Sequence, residues 1–178
     1  MRINLFAGPG AGKSTTASMQ FARLKMQDYS VELVSEYVKA WAVAKRKVTG
    51  FDQVYLMGKQ LQYEYRFVSA GVKNTITDSP VLLAACYTRE FYPELIGVAD
   101  NMEGIIAEYE RQHPSINVFI NRNEKKYHTE GRYQTEDEAR GIDATVRETL
   151  DRLNIDYQSF DFRDQDGIFN YIQNRIDK

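Results

Sequence analysis

The chain has 178 residues, 43% of them apolar and 27% charged, enough for one domain with its own core and without the signature of disorder. A formal net charge of -2 excludes a protein that coats nucleic acid over its whole surface, so any polyanion site must be a local patch. Cys86 is the single cysteine, which excludes internal disulfides and cysteine-based metal sites, and no apolar run approaches the ~18 residues of a membrane span.

The first strand is read over residues 2–7, close enough to the start that no signal peptide is expected, and the expected compartment is the cytoplasm of a cell or of an infected host. A helix follows, with Ala17, Phe21 and Leu24 on one side. After a strand at 30–35, a helix beginning near Asp52 shows an apolar stripe of Val54, Met57, Leu61 and Val68. The strand at 74–78 runs into Ser79-Pro80, which opens the next helix, and Met102, Ile105, Ile106 and Tyr109 mark another before the strand at 116–121. Residues 122–134 are polar and hold Lys125, Lys126, His128 and Arg132, between a strand and a helix, where a lid over a phosphate site can lie. Thr135-Glu136-Asp137-Glu138 matches a capping box, and Ala139, Ile142, Val146, Leu150 and Leu153 follow as a stripe. A strand at 156–160 and a helix carrying Ile168, Phe169, Ile172 and Ile176 complete the chain. Short apolar runs alternating with helical patterns predict an α/β fold with a mainly parallel sheet, one domain over 1–178 with its lid at about 122–134.

Chemistry concentrates in Ala7-Gly8-Pro9-Gly10-Ala11-Gly12-Lys13-Ser14, which matches G-x-x-x-x-G-K-[ST] except for Ala7 at its first position. A triphosphate needs several backbone N–H groups converging on its oxygens, and glycines permit the tight turn that aims them. The helix that follows adds the positive end of its dipole. Lys13 is expected on the β- and γ-phosphates, the Ser14 hydroxyl on Mg²⁺ and Thr15 on the α-phosphate, so the motif points to ATP with Mg²⁺. Asn121-Arg122-Asn123-Glu124 only echoes the guanine-reading Asn-Lys-x-Asp, which argues against a GTPase. AAA-type and transporter ATPases are set aside because neither an Asp-Glu pair nor a signature loop is visible.

Four landmarks carry a resemblance: Gly8–Ser14, Val34-Ser35-Glu36-Tyr37, Thr77-Asp78-Ser79-Pro80, and Gly131-Arg132-Tyr133-Gln134 leading into the capping box. Together the chain resembles the nucleoside and nucleotide kinase branch of P-loop proteins, and within it the phage and bacterial group related to the nicotinamide riboside kinase domain. The resemblance implies a doubly wound, five-stranded sheet of order 2-3-1-4-5 with helices on both faces and ligands over the strands' carboxyl ends. It implies Glu36 as base or acceptor anchor, Asp78 nearer the metal, and Arg132 closing on the transferred phosphoryl group, with Arg122 beside the nucleotide at the lid's other flank. For both carboxylates, capping of a helix N-terminus is the competing role. Lys125, Lys126 and His128 read as solvated surface.

An acceptor pocket is expected after Glu36, with Tyr37, Trp41, Gln53, Gln60, Tyr63 and Arg66 as candidate contacts and Lys45-Arg46-Lys47 beside them. Two kinase readings stay open: a free nucleoside, nucleotide or nicotinamide riboside as acceptor, or a hydroxymethylated pyrimidine such as 5-hydroxymethyluracil in phage DNA. The basic run favours an acceptor with phosphates, and Tyr37 and Trp41 suit a base drawn out of the stack. A nucleotide-hydrolysing switch is the alternative from another class.

Overall fold

Five short strands and seven helices alternate along a computed structural model that describes residues 1–122 and 133–177. Strand β1 (Arg2–Phe6) is buried along its whole length, as a central strand covered on both faces must be. Helix α1 (Lys13–Met26) follows the phosphate-loop sequence and leads to β2 (Val31–Val34). Next come α2 (Lys39–Val43), α3 (Asp52–Ser69), β3 (Asn74–Thr77) and α4 (Leu82–Phe91). Helix α5 (Ile96–Gln112), β4 (Ser115–Asn121), α6 (Glu136–Arg152), β5 (Gln158–Asp161) and α7 (Gln165–Gln173) complete the order. All strand pairs are parallel and the sheet runs β2-β3-β1-β4-β5, the order that the resemblance implies.

Each face of the sheet has its own core. Ala17 and Leu24 of α1 with Ile168, Phe169 and Ile172 of α7 cover Ile3, Leu5, Ile76 and Val118. On the other face, Met57 of α3, Leu82 and Cys86 of α4, Met102 and Ile106 of α5, and Ile142, Val146 and Leu150 of α6 close over Phe6 and Phe119. The capping box forms as expected: the Thr135 side chain accepts from Glu138 N–H while the Glu138 carboxylate returns to Thr135. Among the described residues no helix is long and apolar enough to cross a membrane.

Two stripes are oriented differently from expectation. Helix α3 buries Gln53, Leu56, Met57, Gln60 and Glu64 and leaves Val54 exposed. Its inward face is polar because Gln60 braces the end of β3, donating to Thr77 Oγ1, and Glu64 pairs with Arg2. Periodicity of apolar residues alone cannot reveal such a face. On α5, Ile105 faces outward while Met102, Ile106 and Tyr109 are buried. Strand β3 is polar for a related reason: Asn74 Nδ2 donates to the carbonyls of Ser30 and Asp177, so its amide is satisfied inside.

Candidate active site

Parallel order puts the ends of β2, β3 and β1 side by side, so residues after each strand share one edge. The phosphate loop leaves β1 there, Asp78 follows β3 directly, and Glu36 follows β2 by two residues. The loop needs its glycines. Gly10 and Gly12 adopt φ of 79° and 100°, left-handed values that disfavour other residues. A Cβ on Gly12 would lie 2.2 Å from the Phe162 ring, and one on Gly8 would lie 2.2 Å from the Ala139 carbonyl oxygen of α6. Helix α1 starts without a side-chain cap and without an acidic residue in its first turn, whereas α6 has both. The α1 terminus therefore keeps its dipole for an anion.

Lys13 is half-buried, with Nζ donating to the carbonyls of Ala7 at 2.7 Å and Gly8 at 3.0 Å. Burial pulls its pKa down, opposed by the carboxylates of Glu36, Asp78 and Asp143 and reinforced by the Arg122 cation. Burial likewise raises the Glu36 carboxyl, with Lys13 pulling it back and Asp78 adding to the rise. Asp78 caps nothing: α4 begins at Leu82 with no side-chain cap, and the turn is held instead by Ser79 N–H donating to Thr77 Oγ1 at 3.1 Å. Asp78 Oδ1 is buried with no hydrogen-bond partner among the described residues.

These groups open on one cavity of about 720 Å³, in the range of small-molecule sites. Pro9, Gly10, Gly12, Lys13, Ser14 and Thr15 form one end, and Glu36 and Asp78 flank it. Val38, Ala42, Val43, Val48 and Leu56 make an apolar wall with Gln53 set into it. Tyr87, Phe91 and Tyr92 of the α4 region also line the cavity, and Tyr92 Oη donates to the Val48 carbonyl at 2.9 Å. Tyr133, Gln134 and Glu138 complete the lining among the described residues.

Other expected residues lie elsewhere. Tyr37 and Trp41 do not line the cavity; they join Tyr55 and Tyr63 in an aromatic cluster, with Trp41 stacked on Tyr55 and the Arg46 guanidinium 3.4 Å from the Trp41 ring. Gln60 is occupied by the Tyr37 amide and Thr77, Arg66 packs on the rings of Tyr63 and Phe67, and Lys45, Arg46 and Lys47 are exposed outside the cavity wall. Arg122 turns inward, donating to Asp143, the Pro9 carbonyl and the Ala139 carbonyl. Arg132, Lys125, Lys126 and His128 lie outside the described residues, as does most of the expected lid. Sequence reasoning missed Asp143 and Phe162, which no motif marks. It also missed Tyr87 and Phe91, whose spacing of four in an apolar helix is a readable signal.

A glycine-rich phosphate loop opening on the carboxyl edge of a 2-3-1-4-5 parallel sheet defines the P-loop kinase fold. The model of an AAA-domain family matches residues 2–162, and the chain belongs to that family. This corrects the exclusion of AAA-type proteins by sequence: β3 does end in Thr77-Asp78-Ser79-Pro80 without an Asp-Glu pair, yet the family model spans most of the chain. No curated protein matches by sequence. Among solved structures, deoxyadenosine kinase from M. mycoides with products dCMP and a flexible dCDP bound is similar at a TM-score of 0.60 and 16% identity, covering 98% of both chains. The same enzyme with bound dATP is similar at 0.59 and 16%, again over 98% of both.

Proposed function

We propose that the protein is an ATP-dependent kinase that phosphorylates a hydroxyl group of a free nucleoside. One observation carries this: Lys13 and two carboxylates, none of them ion-paired with another among the described residues, line a single cavity together with apolar and aromatic side chains. A switch that transfers only to water needs no such second compartment.

In this reading the phosphate loop and the α1 terminus hold the triphosphate, and Lys13 leaves its carbonyl seat for the β- and γ-phosphates. Ser14 and Asp78 suit Mg²⁺, which takes one or two protein ligands with phosphates and water, and the unpartnered Asp78 oxygen fits that task. Bound there, the ion would neutralise charge on the phosphates. Glu36 accepts the proton of the acceptor hydroxyl as that oxygen bonds to the γ-phosphorus, and the bond to the β-phosphate oxygen breaks to release ADP. Arg132 and Thr15 keep their expected roles at the phosphoryl groups.

The wall also bears on the acceptor. Beyond the phosphate loop its only basic residue among those described is Lys39, set against Glu36, Asp78 and Glu138. An acceptor rich in phosphates finds little cation there, and Tyr37, Trp41 and the Lys45–Lys47 run, which favoured DNA, lie outside. A planar base between Tyr87, Phe91 and the valines, with Gln53 on its edge, matches the wall's chemistry. That the similar solved structures are of a deoxyadenosine kinase supports a deoxynucleoside. Kinship with the nicotinamide riboside kinase group rests on the sequence landmarks. Competition among free nucleosides, their monophosphates, nicotinamide riboside and an oligonucleotide containing 5-hydroxymethyluracil tests the reading. Phosphorylation of a free nucleoside with none of the oligonucleotide is the expected result. Transfer to the oligonucleotide alone would replace it with the DNA reading.

A further inference from the structure

The phosphate loop is gripped from behind by two side chains that no phosphate-loop motif contains. Asp143, in the middle of α6, accepts from Gly8 N–H at 2.6 Å through Oδ1 and pairs through Oδ2 with Arg122 Nε. Arg122, just beyond β4, gives its remaining nitrogens to the Pro9 carbonyl at 3.1 Å and the Ala139 carbonyl at 3.0 Å. Both side chains are largely buried, at 10% and 18% exposure. The contact is close because Gly8 has no side chain: a Cβ there would collide with the Ala139 oxygen.

The Ala7–Gly8 peptide turns this grip into control of Lys13. A trans peptide is planar, with its N–H and C=O pointing in opposite directions. Asp143 holds the N–H end of that peptide, and the C=O end, Ala7 O, is the 2.7 Å acceptor of Lys13 Nζ. Fixing one end aims the other. The Asp143 carboxylate also balances the Arg122 guanidinium, whose charge by itself disfavours the Lys13 ammonium.

We propose that Asp143, seconded by Arg122, is a positioning residue that sets the phosphate loop and Lys13 for nucleotide binding. It acts through a single peptide rather than by touching the phosphates. The proposal deepens the nucleotide reading above and rests on it. It assigns Arg122 a place behind the loop rather than beside the nucleotide.

Calorimetric titration of a non-hydrolysable ATP analogue with Mg²⁺ into the full chain tests it, with urea unfolding of each variant confirming the native state. Asp143→Ala should weaken binding about tenfold or more, the loss of a hydrogen bond to a charged group. Asp143→Asn keeps an acceptor for Gly8 N–H but no longer balances Arg122, so its binding should fall between wild type and Asp143→Ala. Because Asp143 acts through Lys13, Lys13→Ala with Asp143→Ala should bind about as weakly as Lys13→Ala alone, a strongly non-additive cycle. Full additivity would overturn the proposal, as would a folded Asp143→Ala that binds like wild type. Wild-type protein that does not bind the analogue would instead overturn the nucleotide reading itself.

Discussion

The two edges of the sheet handle buried charge in opposite ways. At the amino edge Arg2, the first residue of β1, is buried against Glu64 at 3.1 Å and Glu110 at 2.9 Å and stacks on the Tyr109 ring at 4.1 Å. Opposite charges there meet in ion pairs. Burial still raises the Glu64 carboxyl to about 7 against the pull of Arg2, and Arg2 Nε and Glu64 Oε1 have no hydrogen-bond partner among the described residues. At the carboxyl edge of the same strands, among the described residues, Lys13 meets only neutral carbonyls at hydrogen-bond distance, Glu36 is raised by burial, and one Asp78 oxygen has no partner. Burying a charge without a partner is expensive, so a fold retains one where a third party supplies the partner. Similar residue types thus pair with one another at one edge and, in the function proposed above, would meet phosphates, metal and a hydroxyl at the other.

Breaking the paired edge should have the largest effect. Arg2→Ala strands the buried Glu64, while Glu110 keeps its bonds from Ser115, and should cost about 3–5 kcal/mol of stability, read from urea unfolding. A loss below about 1 kcal/mol would mean that the pairs are incidental. At the unpaired edge, Lys13→Ala should reduce phosphoryl transfer about 10²–10³-fold while the unfolding midpoint holds, because Lys13 anchors only loop carbonyls. Asp78→Asn should raise the Mg²⁺ concentration for half-maximal activity about tenfold, since one coordinating charge is lost. An unchanged Mg²⁺ profile would take Asp78 off the metal.

The smallest effect is the sharpest in sign. The folded Glu36 pKa lies above its ordinary value, so the folded state holds this proton more tightly than the unfolded chain. Its contribution is present below the ordinary glutamate pKa and is lost as pH rises through the folded value. Glu36→Gln should therefore stabilise the protein by about 0.5–1 kcal/mol at pH 7, with no gain at pH 4, while transfer should fall if Glu36 is the base proposed above. Destabilisation at pH 7 would place Glu36 among the paired, structural charges.

Much of this was legible in the sequence. Five strands and the phosphate loop follow from short apolar runs and a glycine-rich motif, and the sheet order is the one that the resemblance implies. Side-chain direction was harder to read. The segment after Glu36 looks uniformly promising, but the short α2 divides it. Tyr37 and Trp41, four apart, fall together on Tyr55, while Val38 and Ala42, also four apart, face the cavity with Lys39 and Val43. Polar residues on the inner face of α3 hid its buried side. The Asp143 grip spans 135 residues of sequence and rests on one peptide's orientation, which composition and spacing do not encode.

The most direct test of the kinase is single-turnover reaction of γ-labelled ATP with a free deoxynucleoside, by wild type and Glu36→Gln in parallel. Wild type should place the label on the nucleoside, and Glu36→Gln should slow that step about 10²–10⁴-fold with the ATP analogue still bound. Label released only as inorganic phosphate, at equal rates by both proteins, would contradict a kinase and leave a nucleotide-hydrolysing switch.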